Sequence, residues 1–278
     1  MSEHDTFHTE EHEDVTGLVL SGGGARAAYQ VGVLHQLAKW FEQENKREFD
    51  FPFKILCGTS AGAINAAALA CAGRNFYQST DRMLKVWENF SSDQVFRSDS
   101  LGIIRTGARW LSALSIGWML RKRPKCLLDN MPLSHLMHQL LHFRRLDEAL
   151  ENGTIHALAV TASSYSSGRS VTFFQTQKVI ESWARTQRVA LPDRITVEHL
   201  LASAAIPFVF PAVKLNIEGK MEHFGDGSIR QLAPISPAIH LGANRVMVIG
   251  SSQSDKDHTE RVEIQNAYPS LAQIAGHA

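Results

Sequence analysis

The sequence predicts an α/β protein built on a parallel sheet covered by helices. Residues 17–37, GLVLSGGGARAAYQVGVLHQL, run an apolar strand into three consecutive glycines and then into a helix. Residues 51–73, FPFKILCGTSAGAINAAALACAG, repeat that order with a second glycine-bearing turn. Two strand–turn–helix units in succession imply parallel strands, because each helix carries the chain back across one face of the sheet. A chain of 278 residues, 44% hydrophobic and 20% charged, supplies the core such a sheet needs.

The elements follow in order. Residues 1–14, MSEHDTFHTEEHED, are polar and charged and predict a disordered tail. His4, His8 and His12 fall at i, i+4 and i+8, but on a solvated tail this spacing is given no metal. A strand over 15–20 leads through Gly22, Gly23 and Gly24 into a helix from Ala25 to about Asn45, on which Val31, Leu34, Leu37, Ala38 and Phe41 recur at helical spacing. The second unit places a strand near Phe53–Cys57 and an alanine-rich helix over Ala61–Ala72, closed by Gly73.

Residues 79–150 read as a mostly helical, cap-like segment, with Asn130–Pro132 as the entry into one apolar-periodic helix. Strands resume at IHALAVTASS and RSVTFFQ, joined by YSSG in a hairpin. A helix follows near 196–205, and the prolines of IPFVFPAV exclude a central strand there. The stretch EHFGDGSIRQLAPISPAIHLGANRVMVIGSS supplies a glycine turn, a short helix and a final buried strand, Arg245–Ile249. One domain thus spans 15–250. Residues 251–278 form a C-terminal extension whose last stretch, YPSLAQIAGHA, starts a helix and stops, which predicts that the native chain continues.

Lys plus Arg and Asp plus Glu number 28 each, so no excess charge argues for a nucleic-acid partner. Three cysteines, Cys57, Cys71 and Cys126, form no C-x-x-C pair, which argues against a disulfide framework or a zinc site and points to a reducing, cytoplasmic setting. The N-terminus lacks the basic and apolar regions of a secretory signal, and no apolar run is long enough to span a bilayer.

Glycine turns between a strand and a helix receive anions, because backbone N–H groups and the positive end of the helix dipole converge there. As a dinucleotide fingerprint, Gly22, Gly24 and Ala27 satisfy G-x-G-x-x-A, with Glu42 twenty residues beyond Gly22. That reading fares poorly: the ribose-binding acid belongs at the end of the second strand, which here runs into GTSAG, whereas Glu42 falls inside the first helix. Gly58 to Gly62 is G-x-S-x-G between strand and helix, the turn that lifts a serine hydroxyl above the sheet edge. Ser60 is therefore the candidate nucleophile, with Gly58 and Gly62 as its elbow. Its attack on an acyl carbonyl creates an oxyanion, and Gly22, Gly23 and Gly24 would offer it N–H donors worth about 3 kcal/mol each in the transition state. Arg26 would hold that loop or add positive potential. Asp226, in the turn Gly225–Gly227, offers a carboxylate, although an Asp beside glycines is ordinarily just a turn residue.

Together Gly-Gly-Gly-x-Arg, G-x-S-x-G and Asp-Gly, in this order from about Gly17 to Gly250, resemble the patatin-like phospholipase family, as does HLLASAAIPFVFPAV ahead of the Asp-Gly turn. The resemblance implies a three-layer α/β/α fold with a mostly parallel central sheet. It implies a Ser60–Asp226 dyad with Asp226 as base, Gly227 in the Asp-Gly loop, an oxyanion hole at Gly22, Gly23 and Gly24, and no cofactor or metal. The expected activity is hydrolysis of lipid carboxylic esters, of the phospholipase A or lysophospholipase type, through an acyl-enzyme. One departure is Ser228, where the family commonly has Gly or Ala. The competing enzyme reading is a Ser-His-Asp esterase or thioesterase with His223, His240 or His258 as base; outside enzymes it is a nucleotide-binding or lipid-binding module.

Residues 101–123, LGIIRTGARWLSALSIGWMLRKR, place Trp110 and Trp118 in an apolar stretch, set Arg105, Arg109 and Ser112 along one helical face, and end on Arg121, Lys122 and Arg123. Such a segment suits peripheral contact with a membrane surface. It equally suits a cap helix packed on the domain, and both readings stay open.

Overall fold

The computed structural model describes residues 14–44, 51–91, 94–96 and 128–250. The tail to residue 13, the stretch 97–127 with every proposed membrane-contact residue, and residues 251–278 with His258 lie outside them.

Strand β1 (Thr16–Leu20) pairs in parallel with β2 (Ile55–Thr59), and β2 pairs in parallel with β3 (Ala157–Ser164). All residues of β2 and β3 are buried, so neither strand alternates apolar with charged residues: β2 is apolar but for Gly58 and its terminal Thr59, and β3 opens on the apolar Ala157–Val160 before its buried Thr161, Ser163 and Ser164. Alternate residues face opposite layers. Leu18, Leu20, Leu56, Leu158 and Val160 join one core with helix α1 (Ala27–Glu44) and helix α2 (Ala61–Cys71). Val19, Ile55, Cys57, Ala157 and Ala159 join a second core under the short helix α7 (Ser236–His240). The result is the expected helix–sheet–helix layering.

Helix α3 (Phe76–Glu88) starts where Asn75 accepts a hydrogen bond from the Gln78 amide at 2.8 Å, and packs on α1. Helix α4 (Met131–Leu140) carries Pro132 in its first turn, as the sequence predicts, and is followed by α5 (Phe143–Glu151). Helix α6 (Val197–Ser203) opens on Thr196, whose amide donates to His199 Nδ1 at 3.2 Å.

The predicted hairpin is present: β4 (Ser170–Thr176) runs antiparallel to β3. Four strands beyond the sequence reading extend the sheet. β5 (Trp183–Arg185) and β6 (Arg188–Pro192) form an antiparallel pair, with β6 parallel to β4. β7 (Val213–Ile217) and β8 (Lys220–Gly225) form a hairpin through Glu218 and Gly219, whose φ values of 48° and 85° make a turn matched to the twist of the strands. β8 then pairs with the end of β3, Ser163 with Gly225 and Ser164 with Phe224.

The last strand, β9 (Arg245–Ile249), pairs in parallel with β1, but the expectation that it is buried is corrected: only Ile249 is buried, and Val248 is 48% exposed. Its one partner among the described strands is β1, so it forms the sheet edge there. The first helix also starts later than expected, because Gly24–Arg26 forms a 3₁₀ turn ahead of Ala27.

Candidate active site

Strand β2 ends at Thr59 and α2 begins at Ala61, leaving Ser60 alone in the connection with φ 54° and ψ −129°. A side chain at positive φ is strained by about 1–3 kcal/mol, and such strain persists only where the surroundings hold it. Here the surroundings are backbone. A Cβ on Gly58 would run into Ala63 and the Gly62 carbonyl, and one on Gly62 would run into the Leu20 and Ser21 carbonyls. The two glycines predicted to flank the serine thus let α2 press against both β2 and β1.

Ser203, at the end of α6, fixes the turn from a third side. Its hydroxyl accepts from the Ser60 amide at 2.8 Å and donates to the Thr161 carbonyl of β3 at 2.6 Å. Ser203 is fully buried. The sequence reading missed it, since no local signal distinguishes it from any helix-terminal serine.

Asp226 follows β8 directly, so the β7–β8 hairpin delivers it to the end of β3. Its amide donates to the Ala205 carbonyl at 2.8 Å. One carboxylate oxygen, Oδ1, accepts from the Ser228 amide at 2.8 Å; the other, Oδ2, accepts from the Ser60 hydroxyl at 2.6 Å. Gly227 lies so close to the Thr161 carbonyl that a Cβ there would collide with it. Ser60 and Asp226 are 5% and 6% exposed, so the pair sits largely out of water, where charge-assisted hydrogen bonds are strong.

The glycine loop closes the other side. A Cβ on Gly22 would strike the Ser228 hydroxyl and come to 3.1 Å from Ser60 Cβ. Gly24, at φ 55°, opens the 3₁₀ turn, and the Arg26 amide donates to the Gly23 carbonyl at 3.1 Å. Arg26 itself is exposed. The structure thus brings together Gly22, Ser60, Asp226 and Ser228.

Two histidines of the triad reading, His223 and His240, make other contacts. His240 stacks on Trp183 with ring centroids 5.0 Å apart and contacts the Ser236 carbonyl through Nδ1 at 2.9 Å. His223 is exposed on β8, its amide donating to Ser166. Tyr165 packs over Gly225, and its own burial together with the Asp226 charge raises its phenol above the usual range. Burial pushes the thiols of Cys57 and Cys71 up to about 12, so neither competes as a nucleophile. Among the described residues no group of His, Cys, Asp or Glu could hold a metal ion, and no helix is long and apolar enough to cross a membrane.

No curated protein matches this sequence. Among solved structures the chain resembles VipD from Legionella pneumophila, with 17% identity and a TM-score of 0.48 over 85% of this chain and 50% of that one. It also resembles human GIVD cytosolic phospholipase A2, solved with methyl gamma-linolenyl fluorophosphonate, with 15% identity and a TM-score of 0.42 over 87% of this chain and 41% of that one. ExoU, from the ExoU–SpcU complex of the Pseudomonas aeruginosa type III secretion system, aligns at 22% identity and a TM-score of 0.31 over 70% of this chain and 37% of that one. The chain therefore spans half or less of the length of each. A model of the family described as patatin-like phospholipase matches residues 18–239, a stretch that holds the glycine loop, the Ser60 elbow and the Asp226 turn. The chain belongs to the patatin-like phospholipase family.

Proposed function

We propose that this protein is a lipid acyl hydrolase that cleaves carboxylic esters with a Ser60–Asp226 dyad. The observation that carries the reading is the 2.6 Å hydrogen bond from the Ser60 hydroxyl to Asp226 Oδ2, made at a strained strand-to-helix turn. Asp226 takes the hydroxyl proton as Ser60 Oγ bonds to the acyl carbon, and returns it to the departing alcohol as the C–O bond breaks. Water then attacks the acyl-enzyme, its proton passes to Asp226, and the fatty acid leaves as Ser60 is regenerated. The N–H groups of Gly22, Gly23 and Gly24 stabilise the oxyanion in both halves. Asp226 keeps its aim because the Ser228 amide occupies its second oxygen.

Exposed apolar side chains on the segments flanking the dyad suit an acyl substrate. Ile206, next to the residue that anchors Asp226, is 40% exposed, and Ile229 and Leu232, just past the Asp-Gly turn, are 41% and 71% exposed.

A fluorophosphonate probe, followed by peptide mapping, tests the assignment. Labelling is expected on Ser60, and Ser60→Ala is expected to lose both labelling and hydrolysis of a short-chain ester while remaining folded. Labelling at a different serine, or full turnover by Ser60→Ala, overturns it. Incubation of lipid extracts with wild type and Ser60→Ala identifies the ester cleaved.

A further inference from the structure

Beneath the glycine loop lies a buried chain of side-chain amides that the proposed chemistry does not use. Gln30, in the second turn of α1, is fully buried, and both its N–H groups are committed: Nε2 donates to the Ser21 carbonyl at 2.7 Å and to the Ile249 carbonyl at 3.2 Å. Its Oε1 accepts from Asn65 Nδ2 at 3.0 Å. Asn65, 2% exposed on α2, also donates to the Ala27 carbonyl at 3.1 Å, and its own oxygen accepts from Trp87 Nε1 at 3.0 Å. The chain runs from the residue before Gly22, through α1 and α2, to α3. Removing any one partner leaves a buried polar group without its bond.

The geometry points to Gln30 as a positioning residue for the oxyanion loop, aimed in turn by Asn65 and Trp87. A trans peptide points its C=O and N–H in opposite directions within one rigid plane. The Ser21 carbonyl is drawn inward by Gln30, so the N–H of the same peptide unit, which belongs to Gly22, is turned outward. Gly22 is the residue on which a Cβ would come to 3.1 Å from Ser60 Cβ. The Ser21 amide is fixed as well, donating to the Ile249 carbonyl at 3.3 Å. With both sides of Ser21 tied down, the donor reaches the oxyanion with no reorganisation at the moment of reaction, which is where such donors gain their effect.

This inference rests on the proposed acyl hydrolysis, and its test separates the two. Gln30→Met keeps the volume and removes both donors; Trp87→Phe removes only the outermost one. Steady-state kinetics on a soluble short-chain ester, fluorophosphonate labelling rates and thermal melts are measured for both, with Ser60→Ala alongside. Gln30→Met is expected to lose about tenfold or more in kcat, a part of the 10²–10³ that a deleted oxyanion donor costs. KM and the acidic limb of the pH–rate profile should stay unchanged, and labelling should slow in proportion. Trp87→Phe should show a smaller loss with the same signature.

Wild-type kcat in a folded Gln30→Met, a loss confined to KM, or a displaced acidic limb overturns the positioning role. If Gln30→Met does not fold, Trp87→Phe decides, and an unchanged kcat there overturns it. An active Ser60→Ala instead refutes the proposed Ser60–Asp226 chemistry. An inactive Ser60→Ala beside an unimpaired Gln30→Met refutes only the role of Gln30.

Discussion

Ser60 and Asp226 stand 166 residues apart in sequence and share a 2.6 Å hydrogen bond in which the hydroxyl donates directly to the carboxylate. No imidazole intervenes. Asp226→Asn is therefore expected to lower kcat by about 10²–10⁴-fold, the range for removing a positioned base, without unfolding the protein. Alanine at His223 or His240 should leave turnover within a few-fold of wild type. Comparing the three variants on one soluble ester checks this, and a folded histidine variant as inactive as Asp226→Asn would restore the triad.

Gly22→Ala introduces a methyl that overlaps the Ser228 hydroxyl and comes to 3.1 Å from Ser60 Cβ. We expect a strong loss of turnover. Adding Ser228→Gly removes the closest obstruction and leaves the 3.1 Å contact with Ser60, so the double variant should recover part of the activity lost by Gly22→Ala. A double-mutant cycle in kcat reads this as positive coupling; strict additivity would place Ser228 away from the loop.

Ser203→Ala strips a partner from both the Ser60 amide and the Thr161 carbonyl, two buried groups. Each unsatisfied group costs about 1–3 kcal/mol. Melting temperature should fall, and kcat should fall with it because the elbow relaxes from its strained φ. Differential scanning calorimetry together with ester hydrolysis measures both.

His199 is 6% exposed, packs edge-on against Phe173 and lies 3.4 Å from Asp193. Burial outweighs the carboxylate and holds its imidazole below the usual value. The folded state then favours the neutral ring, so this contribution to stability is fully present above the unfolded value of about 6.5 and declines as pH falls below it toward the folded value. Urea midpoints at pH 7.5 and 5.5 should differ in that direction for wild type. They should differ less for His199→Gln, whose amide can still accept from the Thr196 N–H.

Cys57 and Cys71, with thiols pushed up to about 12 by burial, should resist iodoacetamide at neutral pH in the native protein and react after denaturation. Mass spectrometry of tryptic peptides reads both states.

The parts of this site that sequence revealed were those imposed by backbone geometry. Gly22, Gly58, Gly62 and Gly227 stand where a side chain would collide with a neighbour, so their spacing alone outlines the loops around Ser60 and Asp226. Strands β1, β2 and β3 were equally legible, because strands buried on both faces carry apolar or small residues with no charged side. The hairpin that carries Asp226 was not. VKLNI and KMEHF are short, partly exposed and joined by Glu-Gly, in which only the glycine signals a turn. β9 misled in the opposite sense: RVMVI is apolar enough for a central strand, and sequence does not show on how many sides a strand finds neighbours. Ser203, Gln30 and Asn65 are ordinary helix residues whose partners are set by tertiary packing, so no local pattern marks them.

If Ser60 and Asp226 act as proposed, the delivery of Asp226 by β8 also governs when the protein can act during its own synthesis. The glycine loop and the serine turn leave the ribosome early, while the base lies 166 residues behind the serine. At about 5–20 residues per second, the nascent chain carries its nucleophile for roughly 8–33 s before the partner carboxylate is even translated. On the proposed dyad, a growing polypeptide of this kind stays catalytically silent through that interval, until the sheet has received its late hairpin.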